Sequence, residues 1–436
     1  MASQAFDRTV AQCRAAIRER NADVKAVLHV LPEPLVTADA RQDTPISGVP
    51  YTLKDTWNTA GIPTTGGSWR HRHRVADTSS KIFTAFQNAG AVLLGKSNLC
   101  DMAFSFESDN HMFGPVRNPW DPTRTSGGST GGGAAAIAAG MSCFDWGSDF
   151  GGSIRMPAAF CGVAGLRLSH LTWPIPDFFP TTPELDVDLH GMGPLAKTVA
   201  GLRAVIEAVK GDLRTGVEAP EFKTKRVAVV VPDGPTIGEW PTFEKDALAA
   251  LRMTGVELDR DAKPPSPNYA DKAYDGYLCS NFDKFLSTGE ISTAEGITGV
   301  VLALASRGKL DKRFHPNTAF LLALLALGNL TLYRDKAKER AKVQRVQDAC
   351  NEIWARGTLL VAPTTTFPAP LHGKAATTRR LIAFAKLGNL TDSTSVAVPF
   401  GKFSNGLPRS IQVLGPPGSE NAVLDLAERL EAYARA

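Results

Sequence analysis

From Gly131 to Ala139 the chain holds only glycine and alanine, except at Ile137. Side chains this small let a helix press its backbone against a sheet, so the stretch argues for a layered fold with close helix–sheet contact. It lies between two glycine-rich segments that each carry a serine. Ser129 sits in Thr125-Ser126-Gly127-Gly128-Ser129-Thr130-Gly131-Gly132-Gly133, and Ser153 in Gly147-Ser148-Asp149-Phe150-Gly151-Gly152-Ser153-Ile154-Arg155, 24 residues further on.

The surrounding pattern is that of an α/β protein. Val10, Cys13 and Ile17 fall on one helical face within residues 8–19. Apolar runs at 26–31, 48–53, 91–94 and 225–232 read as strands, and 141–146 as a strand leading into the Ser153 loop. Residues 79–88, 131–139, 242–253, 335–355 and 420–433 read as helices, and 358–362 as a late strand. Strands alternating with helices predict one mixed sheet covered by helices on both faces. Between 262 and 318 the prolines Pro264, Pro265 and Pro267 suggest an irregular, variable region that shapes a substrate mouth. The absence of repeats and low-complexity linkers predicts a single domain over residues 1–436.

Bulk properties exclude several function classes. A hydrophobic fraction of 43% and a net charge of +4 are ordinary for a globular protein and give no case for nucleic acid. The basic run Arg70-His71-Arg72-His73-Arg74 reads as a solvated loop. The six cysteines, at 13, 100, 143, 161, 279 and 350, form no close pair and read as reduced, buried thiols. The first residues lack a basic start followed by an apolar run. The most apolar stretch, 319–332, is interrupted by Gly328-Asn329 and is shorter than the roughly 20 residues a span requires. The expectation is a cytoplasmic protein with no membrane partner.

Two glycine-flanked serines and a lysine at the end of an apolar run, Lys54 in Gly48-Val49-Pro50-Tyr51-Thr52-Leu53-Lys54-Asp55, suggest a Ser–Ser–Lys acyl-transfer centre. Serine attacks a carbonyl only when a base takes its proton. Gly151-Gly152 lets successive amides turn toward one point, so the N–H groups of Phe150, Gly151, Gly152 and Ser153 are candidate oxyanion donors. Gly127-Gly128-Ser129-Thr130-Gly131 also fits the Gly-x-Ser-x-Gly elbow, but the preceding Asn118–Arg124 segment is polar and proline-broken, and no histidine stands out as its partner.

The chain resembles the amidase signature enzymes. The resemblance runs from Gly48 to about Leu168 and is most specific in Gly-Gly-Ser-Thr-Gly-Gly and in Gly-Ser-Asp-Phe-Gly-Gly-Ser-Ile-Arg-Met-Pro-Ala-Ala-Phe-Cys-Gly-Val. Weaker likeness extends to Leu359–Thr365 and Asn405–Val413. It implies Ser153 as nucleophile, Ser129 as a bridging serine after a cis peptide, and Lys54 as base. Thr130 stands where the family usually has a second serine and keeps its hydroxyl. Ser148, Asp149 and Arg155 are expected to brace the nucleophile loop, and Met102, Phe104 and Phe106 to line an acyl pocket. Asp55, so close to a lysine that must lose its charge, is expected to point away or cap a turn. Leu166-Arg167-Leu168-Ser169 departs from the family's usual Leu-Lys-Pro-Thr, which leaves the substrate rim open.

The implied activity is hydrolysis of a carboxamide, without metal or organic cofactor. The substrate is a small-molecule amide, and a homodimer is compatible with the reading. The alternative is an amidotransferase component that supplies ammonia to a partner chain.

Overall fold

The computed structural model describes residues 5–37, 40–174, 177–180, 184–214, 222–286, 300–303, 305, 307–309, 312–375 and 379–435. The first part of the chain forms α1 (Val10–Val24), β1 (Val27–Leu28), β2 (Pro50–Lys54), α2 (Lys81–Asn88) and β3 (Val92–Ser97). A small ribbon of β4 (Arg117–Asn118) and β5 (Asp121–Thr125) follows, then α3 (Gly131–Ala138), β6 (Phe144–Asp149), α4 (Arg155–Cys161) and β7 (Ala164–Arg167). Next come β8 (Gly191–Ala196), α5 (Val199–Leu213), β9 (Arg226–Val229), α6 (Phe243–Thr254) and β10 (Glu257–Leu258). After them come α7 (Pro267–Ser280), α8 (Phe282–Leu286), α9 (Pro316–Thr331) and α10 (Lys336–Ala355). The chain ends with β11 (Thr358–Pro363), α11 (Ala383–Leu390), β12 (Thr394–Lys402), β13 (Pro408–Gly415) and α12 (Glu420–Arg435).

All described strands except β4 and β5 join one 11-stranded sheet in the order β1-β3-β2-β6-β8-β7-β12-β13-β11-β9-β10. Both parallel and antiparallel neighbours occur. β2 lies between parallel β3 and β6, and β6 pairs antiparallel with β8. Successive strand side chains point to opposite faces. Val227, Leu359 and Val361 accordingly pack with α5, α6 and α12, whereas Ala228, Leu360 and Ala362 pack with α7, α10 and α11. The sheet is therefore buried on both faces, which explains its near-continuous apolar strands.

Helix starts follow local chemistry. Thr9 and Gln12 form a capping box at α1, and the Ser80 hydroxyl accepts from the Phe83 amide at α2. The glycines of α3 fit close approaches. A Cβ at Gly132 would stand 2.2 Å from the Asn98 carbonyl oxygen, and one at Gly133 would stand 2.5 Å from the Asp145 carboxylate on β6.

Several sequence expectations need correction. The 26–31 run is a strand only at Val27–Leu28. The strand expected at 141–146 runs instead over Phe144–Asp149, because pairing of Phe144 with Tyr51 sets its register. Asn118–Arg124 is not strandless: β5 forms there, but in the two-stranded ribbon and not in the central sheet. The region 262–318 is not irregular throughout. Pro267 opens α7, with Ser266 capping the Tyr269 amide; proline at a first helical position starts a helix, because its missing N–H would have no partner there anyway. Residues 287–299 of that region lie outside the described residues. Gly328-Asn329 does not interrupt the apolar stretch, since α9 continues through both. No single helix among the described residues is long and apolar enough to cross a membrane.

The close fit of α3 yields a paired test of sign. Alanine ordinarily stabilises a helix interior by about 1 kcal/mol over glycine. Gly211→Ala in α5, where a Cβ meets nothing within 4 Å, should raise the unfolding midpoint. Gly132→Ala should lower it, by about 1–3 kcal/mol of stability, because Asn98 backbone must move. Thermal unfolding of the two variants checks the difference.

Candidate active site

Lys54 is the last residue of β2 and is fully buried. Its Nζ donates to Ser129 Oγ at 2.7 Å, to Thr130 Oγ1 at 2.9 Å and to Ser148 Oγ at 2.9 Å. These acceptors come from two segments. Ser129 and Thr130 precede α3, and Ser148 lies near the end of β6, the parallel neighbour of β2. Ser148, expected to support the Ser153 loop beside Asp149 and Arg155, accepts from the lysine. The Gly128–Ser129 peptide is cis. The Ser108 hydroxyl donates to the Ser129 carbonyl at 3.2 Å and accepts from the Gly131 amide at 2.9 Å.

Burial lowers the Lys54 pKa to about 8, while Cys100, Asp145 and Asp149 pull it weakly the other way. Asp55 does not counter this. Its Oδ2 accepts from the Thr65 amide at 3.0 Å and the Thr65 hydroxyl at 2.6 Å, and its Oδ1 lies 3.3 Å from Lys96 Nζ. The expectation that Asp55 turns away from Lys54 is met by these two partners.

Ser153 stands beyond Ser129 in the loop between β6 and α4. The Thr130 amide donates to the Ser153 carbonyl at 3.1 Å, which ties the two serine loops together. Gly152 has φ +106°, a conformation that favours glycine. Asp149 holds the loop from below. Its carboxylate accepts from the Gly152 amide at 2.8 Å, the Ile154 amide at 3.1 Å, and Arg155 Nε and Nη2, both at 3.0 Å. Burial alone would raise the Asp149 pKa, but the Arg155 guanidinium reverses this and holds it well below the carboxylate range. The Gly152 amide is therefore occupied, and Phe150, Gly151 and Ser153 remain as candidate oxyanion donors.

Sequence reasoning missed the outer support of this loop. Asn389 on α11 donates to the Asp149 carboxylate at 2.9 Å and accepts from Arg155 Nη2 at 2.8 Å. Gln412 on β13 accepts from Arg155 Nη1 at 3.2 Å. Gln412 carried a faint signal as a polar residue between Ile411 and Val413 in a buried strand, whereas Asn389 carried none.

A cavity of about 270 Å³ opens at Ser153 and Gly151, walled by Phe104, Phe106, Phe150, Tyr274, Leu278 and Leu325. Phe104 and Phe106 are where the sequence puts them. Met102 is not in the wall; it packs with Phe104 against the cluster of Ala303, Phe314 and Ala319. Leu166–Ser169 is also absent from the rim: Arg167 is buried and donates to the Ser393 carbonyl at 2.7 Å and to Asp392 at 3.1 Å. A larger cleft of about 580 Å³, between α5 and α12, contains none of Lys54, Ser129 and Ser153. His190 packs edge-on against Phe150 and is held near pKa 3, chiefly by burial.

Comparison with known proteins agrees with this architecture. The amidase family model matches residues 8–424. The chain is 31% identical over 417 residues to a component of the glutamyl-tRNA(Gln) amidotransferase of Methanosarcina acetivorans, with 89% of this chain and 84% of that protein covered. It is 30% identical over 413 residues to the "Putative amidase AmiA2" of Mycobacterium tuberculosis, covering 89% and 80%. Among solved structures, a bacterial aryl acylamidase of the amidase signature family aligns with TM-score 0.71 at 22% identity, covering 98% of this chain and 92% of that one. A 6-aminohexanoate cyclic dimer hydrolase aligns with TM-score 0.72 at 22% identity, covering 97% and 92%. The large mixed sheet, the two serine loops and the match over nearly the whole chain lead to one conclusion: this protein belongs to the amidase signature family of amide hydrolases.

Proposed function

We propose that this protein hydrolyses linear carboxamides with an apolar acyl group, through an acyl-enzyme on Ser153. The observation that carries the reading is the fully buried Lys54 amine, 2.7 Å from Ser129 Oγ and lowered to about pKa 8. Uncharged, Lys54 accepts a proton from Ser129 as Ser129 takes one from Ser153. Ser153 Oγ then attacks the amide carbon, and the amides of Phe150, Gly151 and Ser153 stabilise the tetrahedral oxyanion. The proton returns by the same path to the leaving amine, and the C–N bond breaks. Water, deprotonated along the same route, attacks the ester and frees the acid. The chain's own groups supply the nucleophile, relay, base and donors of this cycle. The six buried free thiols fit a cytoplasmic setting.

The apolar wall of the cavity supports the acyl preference, since buried apolar area is the main source of affinity in such a site. A second reading, ammonia supply from an amide donor to a partner chain, is favoured by the amidotransferase relatives. Ammonia release from simple aliphatic and aryl amides by the isolated chain supports hydrolysis. Release from glutamine alone, and only with a partner, supports the second reading.

A fluorophosphonate should add its mass to the peptide containing Ser153, and Ser153→Ala should abolish turnover. Adduct formation at Ser129 would instead point to that residue as nucleophile. Ser129→Ala should retain a small residual rate, because water bridges the relay imperfectly.

The pH profile follows from the lysine. Only its neutral form accepts a proton, so the rate with a non-ionising amide should be half-maximal near pH 8 and level off above it. Below that midpoint it should fall about tenfold per pH unit along a single limb. Lys54→Arg keeps the charge but does not give up its proton, and should lose about 100-fold or more in kcat. Wild-type turnover in that variant would remove Lys54 as base.

A further inference from the structure

We infer that Tyr274 on α7 is a positioning residue that aims the Gly151 amide at the developing oxyanion. The inference rests on the acyl-enzyme reading above and adds to it a residue outside the serine loops. The Tyr274 hydroxyl donates to the Phe150 carbonyl at 2.8 Å. A trans peptide unit is planar, with its C=O and N–H pointing in opposite directions. Fixing the Phe150 oxygen therefore fixes the direction of the Gly151 N–H on the far side of the same peptide. A carbonyl that accepts a hydrogen bond also polarises its own amide and strengthens the N–H as a donor.

The residues around this bond are arranged to keep it. Tyr274 is 4% exposed. A Cβ at Gly151 would stand 2.7 Å from Tyr274 Oη, so glycine is needed there for the hydroxyl to approach. The phenol is itself clamped. Lys386 Nζ on α11 lies 2.6 Å from Asp271 and 2.6 Å from Asp275, and 5.1 Å from the centroid of the Tyr274 ring. Asp271, Tyr274 and Asp275 are spaced to share one face of α7, so one lysine pins that face to α11. The Gly152 amide is meanwhile taken by Asp149 at 2.8 Å. Asp149 and Tyr274 thus hold the two successive peptides of the Gly-Gly turn from different sides. Tyr274 also lines the substrate cavity, so the wall that receives the acyl group is the one that sets the donor.

The test is Tyr274→Phe, which keeps the ring and deletes one oxygen. Loss of a whole oxyanion donor costs about 100- to 1,000-fold in kcat; a donor left in place but unaimed should cost about 10- to 100-fold, with KM changed less than about threefold. An aryl trifluoromethyl ketone, which forms a tetrahedral oxyanion adduct, should bind the variant weaker by about the same factor. The matching secondary alcohol, which fills the cavity but forms no oxyanion, should bind both proteins alike. Equal weakening of ketone and alcohol, or an unchanged kcat, overturns the inference. A wild-type protein that forms no ketone adduct at Ser153 removes the acyl-enzyme reading itself, a distinct result. Should Tyr274→Phe not fold, ring-fluorinated tyrosines at 274 read the same bond. The rate must then follow phenol donor strength, and a flat response overturns the inference.

Discussion

A charged amine withdrawn from water and given no carboxylate is costly unless it gives up its proton. Lys54 occupies that position. Its three described acceptors are the hydroxyls of Ser129, Thr130 and Ser148. Lys96 on the adjacent strand shows the contrast. It too is fully buried, yet it has Asp55 at 3.3 Å and the Trp57 carbonyl at 2.6 Å. Burial lowers both lysines, and what differs is that Asp55 offers an ion pair to Lys96 alone. By pairing with Lys96 and Thr65, it leaves its chain neighbour without a direct ion pair.

The sheet makes this possible. β2 runs between β3 and β6 in parallel, so the ends of these strands deliver Lys54, Ser97 and Ser148 to one edge. The α3 glycines then let the Ser129 loop sit down on that edge, because any Cβ at Gly132 or Gly133 would collide with Asn98 or Asp145. The Ser153 loop is held separately, by the buried Asp149–Arg155 pair and its contacts to Asn389 and Gln412. Removing one partner of a buried ion pair strands the other's charge, so the geometry of Ser153 depends on residues more than 230 positions away in the chain.

What the sequence disclosed follows the range of its signals. Strand and helix positions rest on local periodicity, and most were legible. Ser129, Ser153 and Lys54 were legible because glycine spacing and family resemblance mark them. The proline-rich start of α7 misled, since the same prolines that break a helix interior also begin a helix. Tyr274, Lys386 and Asn389 were silent because their roles exist only once α7 and α11 fold over the serine loop. Met102 failed for a related reason: its neighbours Phe104 and Phe106 reach the cavity, but at φ +56° its own backbone diverges, and its side chain joins a different cluster.

Folding alone lowers Lys54 far enough that its neutral form, the one able to accept a proton, becomes appreciable just above neutral pH. Titration of the protein with ¹³C-labelled lysine, following the Cε resonance assigned by its disappearance in Lys54→Arg, reads that state without any substrate. A midpoint near 8 is expected for Lys54. A midpoint at the ordinary lysine value of about 10.4 would contradict it, whatever activity the protein displays.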